Sequence, residues 1–168
     1  MPKNASLPDW EQGSLDGIDT GVRQLIREQP LETTVVRFGG LSITLPTKPE
    51  ILRIKAALIL KRNATRDYLD FVALADHLGE RHTAEALSDF DRLYPQPNDE
   101  SALQQLQIQL ANPLPYDLEQ TTLAECKNLS PKWQDWRKVA EACARCATAI
   151  FERVSGTEEP RKKRKKFK

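Results

Sequence analysis

The run from Thr33 to Pro46, TTVVRFGGLSITLP, constrains this chain more than any other stretch. Two segments rich in β-branched and apolar residues flank Gly39-Gly40, and a glycine pair supplies the positive φ angles of a two-residue hairpin turn. Leu41, Ile43 and Leu45 alternate with Ser42 and Thr44, which predicts one buried and one wet face. Thr47-Lys48-Pro49-Glu50 follows at once, an S/T-x-x-E capping box with proline in the first turn. An isolated hairpin is marginal, so helices must cover it or it must belong to a sheet whose other strands this chain lacks.

The helix that the capping box opens is expected to run to about Leu60 or Lys61. Asn63-Ala64-Thr65 then breaks it, with Thr65 capping a second helix from Arg66 to Leu78 that ends at Gly79. Beyond that point the pattern stays helical. Leu87, Phe90 and Tyr94 form one stripe and Leu103, Leu106 and Leu110 another, separated by the loop sequences YPQPND and ANPLPYD. The last helix is expected from Ser130-Pro131 to Gly156, with Trp133, Trp136, Ala140, Cys143, Ala147, Ile150 and Val154 at 3-4 spacing. Upstream of the hairpin, residues 1–15 read as a flexible arm, and TGVRQLIREQP as a short helix stopped by Pro30. The fold class is α+β, mostly helical: a β-hairpin at about 33–45 followed by a bundle of five or so helices. The organisation is an arm at 1–15, one α+β domain over 16–156, helical from 83, and a disordered basic tail at 157–168.

Charged residues make up 29% of the chain and hydrophobic residues 39%, which fits a soluble globular protein. No apolar run approaches the roughly 18 residues of a membrane span, and the N-terminal stretch lacks the apolar core of a secretory signal. Three cysteines, an odd number, point to a reducing compartment. These features predict a cytoplasmic protein with no membrane association. The net charge of +1 hides an asymmetry. RKKRKKFK at 161–168 holds seven basic residues and no acid, while the other 160 residues carry 18 basic against 24 acidic side chains. Arg161, Lys162, Lys163, Arg164, Lys165, Lys166 and Lys168 are therefore expected to seek a polyanion such as nucleic acid, with a salt slope of roughly −6 if all engage phosphates. A targeting signal has the same appearance.

The second candidate site is the corner between the first two helices. Lys55, Arg62 and Arg66 fall within about 40° of one another on an unbroken helix, with Asp67 and Asp70 nearby. Cations beside carboxylates can hold a polyphosphate and assist proton transfer, or can simply tie two helices together as ion pairs. The string from Leu45 to Asp76 resembles the C-terminal half of the abortive-infection (AbiEii/AbiGii-like) nucleotidyltransferase toxins. The resemblance rests on Leu45-Pro46, Glu50, Lys55, Arg62, Arg66-Asp67 and Asp70, and on the hairpin just before them. It covers roughly residues 33–78, which would form a nucleotidyltransferase-like core segment.

That resemblance implies that Lys55, Arg62 and Arg66 contact a nucleoside triphosphate and that Asp67 and Asp70 are catalytic, with Mg²⁺ as cofactor if the chain turns over. No Asp-x-Asp, the family's metal-binding pair, occurs between residues 20 and 60, so the chain would be a partial or degenerate member, inactive alone. The implied acceptor is tRNA or another RNA, and the implied partner is a chain supplying the missing half or completing a toxin–antitoxin pair in phage defence. Two alternatives stand beside it: a non-catalytic nucleic-acid- or partner-binding subunit of a larger complex, and an antitoxin-like regulator.

Other motifs have plainer readings. Cys143-x-x-Cys146 lies on the apolar stripe of the last helix and has no paired ligands for zinc, so small buried thiols are expected. His77 and His82 flank Gly79 at a helix end, and Trp133 and Trp136 are expected to pack in the core rather than stack on bases.

Overall fold

Gly39 and Gly40 adopt φ angles of 53° and 82°, and the chain doubles back at the turn their sequence predicts. A computed structural model of the protein describes residues 10–23, 27 and 29–156. These fall in two compact units that divide between Pro30 and Leu31.

The first unit holds a hairpin of its own, β1 (Trp10–Leu15) and β2 (Ile18–Arg23), paired antiparallel with Leu15 opposite Ile18. Asp16 and Gly17 make its turn at φ angles of 51° and 76°, the left-handed pair that such a two-residue loop demands. The short helix expected from Thr20 is thus corrected to a strand up to Arg23. Thr20, Gly21 and Val22 are poor helix formers, and the turn commits them to pairing with β1. Residues 1–9 of the expected arm, and the basic run at 161–168, lie outside the described residues.

The second unit is α+β and mostly helical. Its hairpin, β3 (Thr33–Phe38) and β4 (Leu41–Pro46), leads into α1 (Lys48–Arg62) and α2 (Thr65–Leu78). Then come α3 (Glu80–Ala86), α4 (Phe90–Leu93), α5 (Ala102–Ala111) and α6 (Trp136–Val154), with short 3-10 turns between them. Thr47 caps α1 by accepting from the Glu50 N–H at 3.3 Å. The core is made where the helices meet, from Leu52 and Ile59 of α1, Tyr68 and Phe71 of α2, Leu106 of α5 and Val139 of α6, all fully buried.

Three local expectations change. The predicted buried face of β3–β4 is not buried, because the helices satisfy their apolar stripes against one another and leave the hairpin projecting. Thr65 does not cap α2; its N–H and hydroxyl both donate to Asp117 Oδ1 at 2.7 Å, so the cap arrives from 52 residues away. Ser130-Pro131 opens only a 3-10 turn, Pro131–Trp133. The long helix starts after Asp135, whose carboxylate accepts from the Arg137 N–H at 3.0 Å.

Candidate functional site

The α1–α2 corner is built on Asn63, which takes the left-handed conformation (φ 49°) that lets α1 stop and α2 start two residues later. Asn63 Oδ1 accepts from the Tyr68 hydroxyl at 2.6 Å, while its Nδ2 donates to the Leu114 carbonyl at 2.8 Å. Burial pushes the Tyr68 hydroxyl up to about 12, so it stays a neutral donor. Behind this turn, desolvation works to raise the Asp117 pKa, but the two bonds from Thr65 outweigh it and hold the carboxyl below its ordinary value.

Four of the five predicted site residues meet at this corner. Arg62 forks onto Asp67 through Nε at 3.0 Å and Nη2 at 2.7 Å, engaging both carboxylate oxygens. Lys55 Nζ bridges Asp70 at 2.6 Å and Asp67 at 3.7 Å. Asp67 is fully buried and Asp70 partly exposed. Arg66 does not join them; it is exposed and makes no ion pair among the described residues. Two cations therefore face two carboxylates at contact distance, so the cluster neutralises itself and keeps no surplus positive charge for a polyphosphate. Among the described residues, no group of three His, Cys, Asp or Glu side chains is placed to hold a metal ion.

A second charged cluster, which the sequence reading missed, locks the base of the β3–β4 hairpin to α1. Glu50 is fully buried and accepts from Arg53 Nη1 at 2.5 Å and from the Glu32 N–H at 3.3 Å. Arg53 also donates to Glu32 Oε2 at 3.0 Å and to the Ala86 carbonyl at 2.9 Å. The Arg53 guanidinium, with the Thr47 hydroxyl, holds the Glu32 carboxyl below its ordinary range. The only sequence signal for this clamp is the capping box. Its Glu50 turns away from Thr47 toward Arg53, and the Thr47 N–H donates instead to the Glu32 carbonyl at 2.9 Å.

The remaining candidates are structural. A shallow cavity of about 220 Å³ has Val72, Trp133 and Cys146 among its walls, below the roughly 300–1,000 Å³ of a typical small-molecule site. Its acids are engaged, Asp76 by Lys132 at 2.5 Å and Glu80 by Arg145 at 3.4 Å. Cys143 and Cys146 are buried, and desolvation raises both thiols, that of Cys146 to about 12. Trp133 is buried and Trp136 stacks edge-on against Tyr68 with centroids 6.0 Å apart. His77 Nε2 lies 2.6 Å from Lys48 Nζ, and His82 Nδ1 lies 3.2 Å from the Leu78 carbonyl.

Comparison with known proteins points away from nucleotide chemistry. The chain is 33% identical over 137 residues to the mycolic acid-containing lipids exporter MmpL11 of Mycolicibacterium smegmatis, covering 80% of this chain and 14% of that protein. It is 35% identical over 147 residues to the probable transport protein MmpL11 of Mycobacterium bovis and to the heme uptake protein MmpL11 of Mycobacterium tuberculosis. Each of those matches covers 85% of this chain and 14% of the relative. The chain thus spans only a small part of the length of these curated relatives. No protein-family model matches it, and no solved structure matches it.

These relatives overturn the resemblance to abortive-infection toxins. That resemblance covered residues 33–78 and rested on charge spacing, whereas the relatives align over most of the chain and are named as an exporter, a transport protein and an uptake protein. The nucleotidyltransferase, toxin–antitoxin and phage-defence readings are corrected accordingly. So are the RNA acceptor, the subunit and antitoxin alternatives, and the expected lack of membrane association. The charge spacing has a physical explanation of its own, since the same residues serve as the ion-pair corner. The Mg²⁺ and nucleoside triphosphate hung on that resemblance and have no other support. No helix among the described residues is long and apolar enough to cross a membrane.

Proposed function

We propose that this chain corresponds to an extramembrane module of an MmpL11-like membrane transport protein, lying on the cytoplasmic side and serving a structural role rather than a catalytic one. The observation that carries this reading is the likeness of 80–85% of the chain to a segment that makes up 14% of each relative. Such a segment is large enough to fold as a unit and too short to hold a whole transport pathway. Two sequence features favour the cytoplasmic face. The three cysteines are free thiols, as a reducing compartment maintains them. The basic run at 161–168 has the sign that cytoplasmic segments near membranes carry. The structural role follows from the corner and the clamp, whose charges are consumed in joining elements.

Deleting the matched segment from the Mycolicibacterium smegmatis exporter tests the reading. The truncated protein, verified in the membrane fraction by immunoblot, should lose most export of mycolic acid-containing lipids. Export at the full rate would contradict a role for the module. A membrane-impermeant maleimide applied to intact cells should leave the module unlabelled until the cells are permeabilised.

A further inference from the structure

The β3–β4 hairpin presents an apolar face that no element among the described residues of its own unit covers. The register places Val36 opposite Ile43 and Phe38 opposite Leu41, with Leu45 continuing the row. All are exposed, and exposure rises toward the turn, from 47% at Val36 and 58% at Ile43 to 86% at Phe38 and 74% at Leu41. Monomeric proteins seldom leave such a contiguous patch bare without a use for it. Between Thr33 and Pro46 there is no acid, and the single charge is Arg37, paired with Ser42 on the opposite face.

We propose that the tip of this hairpin, led by Phe38 and Leu41, inserts into the headgroup–acyl boundary of an anionic lipid bilayer. The occupant is identified by four features. The most apolar side chains sit at the extremity of a projection, which suits a yielding surface better than a lock-and-key pocket. The lone cation stands beside the tip, where Arg37 would meet a lipid phosphate while Phe38 and Leu41 enter the acyl region. Five apolar side chains, Val36, Phe38, Leu41, Ile43 and Leu45, make up the face, against the roughly 20–30 residues a side of a stable protein complex, so a second copy would be held poorly. The base is clamped by Glu32, Glu50 and Arg53, so the tip is presented by a fixed support. Both strands have open edges whose backbone groups need water, and this confines insertion to the interface.

A contact this small is weak alone and effective once the module is tethered close to the bilayer, which rests on the transporter reading. Flotation of the purified full chain with vesicles of phosphatidylcholine and phosphatidylglycerol, at a few millimolar lipid, tests the insertion separately from transport. The assay is run at 0.5 M salt, where the basic run at 161–168 is screened and apolar insertion persists. The chain should float, and Phe38→Asp combined with Leu41→Asp should lower its partition at least tenfold with an unchanged melting temperature. Equal partition of both proteins, or no flotation of either, would overturn the proposal. So would a concentration-dependent dimer abolished by the double variant, which would place a second copy on the face. Loss of the deletion phenotype with flotation intact would instead remove the transporter reading alone.

Discussion

Arg53 Nη1 donates to the fully buried Glu50 carboxylate at 2.5 Å, a bond within α1 that sets the pair by which the helix holds Glu32, ahead of the hairpin, through its N–H and its carboxylate. The arginine is itself only 13% exposed, so both partners are largely removed from water. Breaking such a pair costs more than its net attraction, because the remaining charge stays buried. Arg53→Ala should therefore destabilise the protein by about 3–5 kcal/mol. Glu50→Gln should cost less, since Arg53 keeps Glu32 and the Ala86 carbonyl. Urea midpoints of the two variants check the order.

The same asymmetry governs the α1–α2 corner. Arg62→Ala leaves the buried Asp67 with Lys55 at 3.7 Å as its remaining cation and should cost about 2–4 kcal/mol. Lys55→Ala leaves the Arg62–Asp67 fork intact and strands only the partly exposed Asp70, for about 1 kcal/mol or less. Thermal melts of both variants, with a double-mutant cycle for coupling, make the comparison. A larger loss from Lys55→Ala would mean that the fork is not the main tie.

Acid should weaken the protein through two named carboxyls. Glu32 and Asp117 are both held below their ordinary values of 4.5 and 3.8. A depressed folded-state pKa contributes stability that is present above the unfolded value and lost as the pH falls through the folded one. Stability should therefore decline below about pH 4.5 as these two groups protonate. Asp117→Asn should cost about 1 kcal/mol at pH 7, and its deficit should shrink toward pH 3. Urea unfolding at pH 7, 5, 4 and 3 provides the test.

Thiol reactivity should divide the three cysteines. Cys143 and Cys146 are buried with raised pKa values, whereas Cys126 is half-buried. A thiol reagent should modify one cysteine in the native protein and all three in denaturant. Rapid native modification of Cys146 would show that the cavity it lines opens freely.

Much of the second unit was legible in the sequence because its signals are local. Gly39-Gly40, the Thr47–Glu50 box and the Asn63 break each act within four residues. The first unit's hairpin was missed although Asp16-Gly17 is a strong turn signal, because its strands, WEQGSL and IDTGVR, carry few of the apolar residues that mark a strand. The start of α6 was misplaced for a related reason, since Ser130-Pro131 has the chemistry of a cap but opens a 3-10 turn. Thr65 looked like a cap by position, while its partner Asp117 lies in a distant loop where no local rule points. At the corner, residue spacing gave the right cluster and the wrong chemistry. Three-residue and four-residue offsets bring charges together in the same way for phosphate binding and for ion pairing. Only the distances, with both Asp67 oxygens taken by Arg62, separate the two.

The most direct measurement is a segment exchange. The matched segment of the Mycolicibacterium smegmatis exporter would be replaced by residues 10–156 of this chain, and export of mycolic acid-containing lipids compared with the intact and truncated transporters. The exchanged protein should recover most of the export that truncation removes. An exchanged protein present in the membrane at normal abundance, but no better than the truncation, would contradict it.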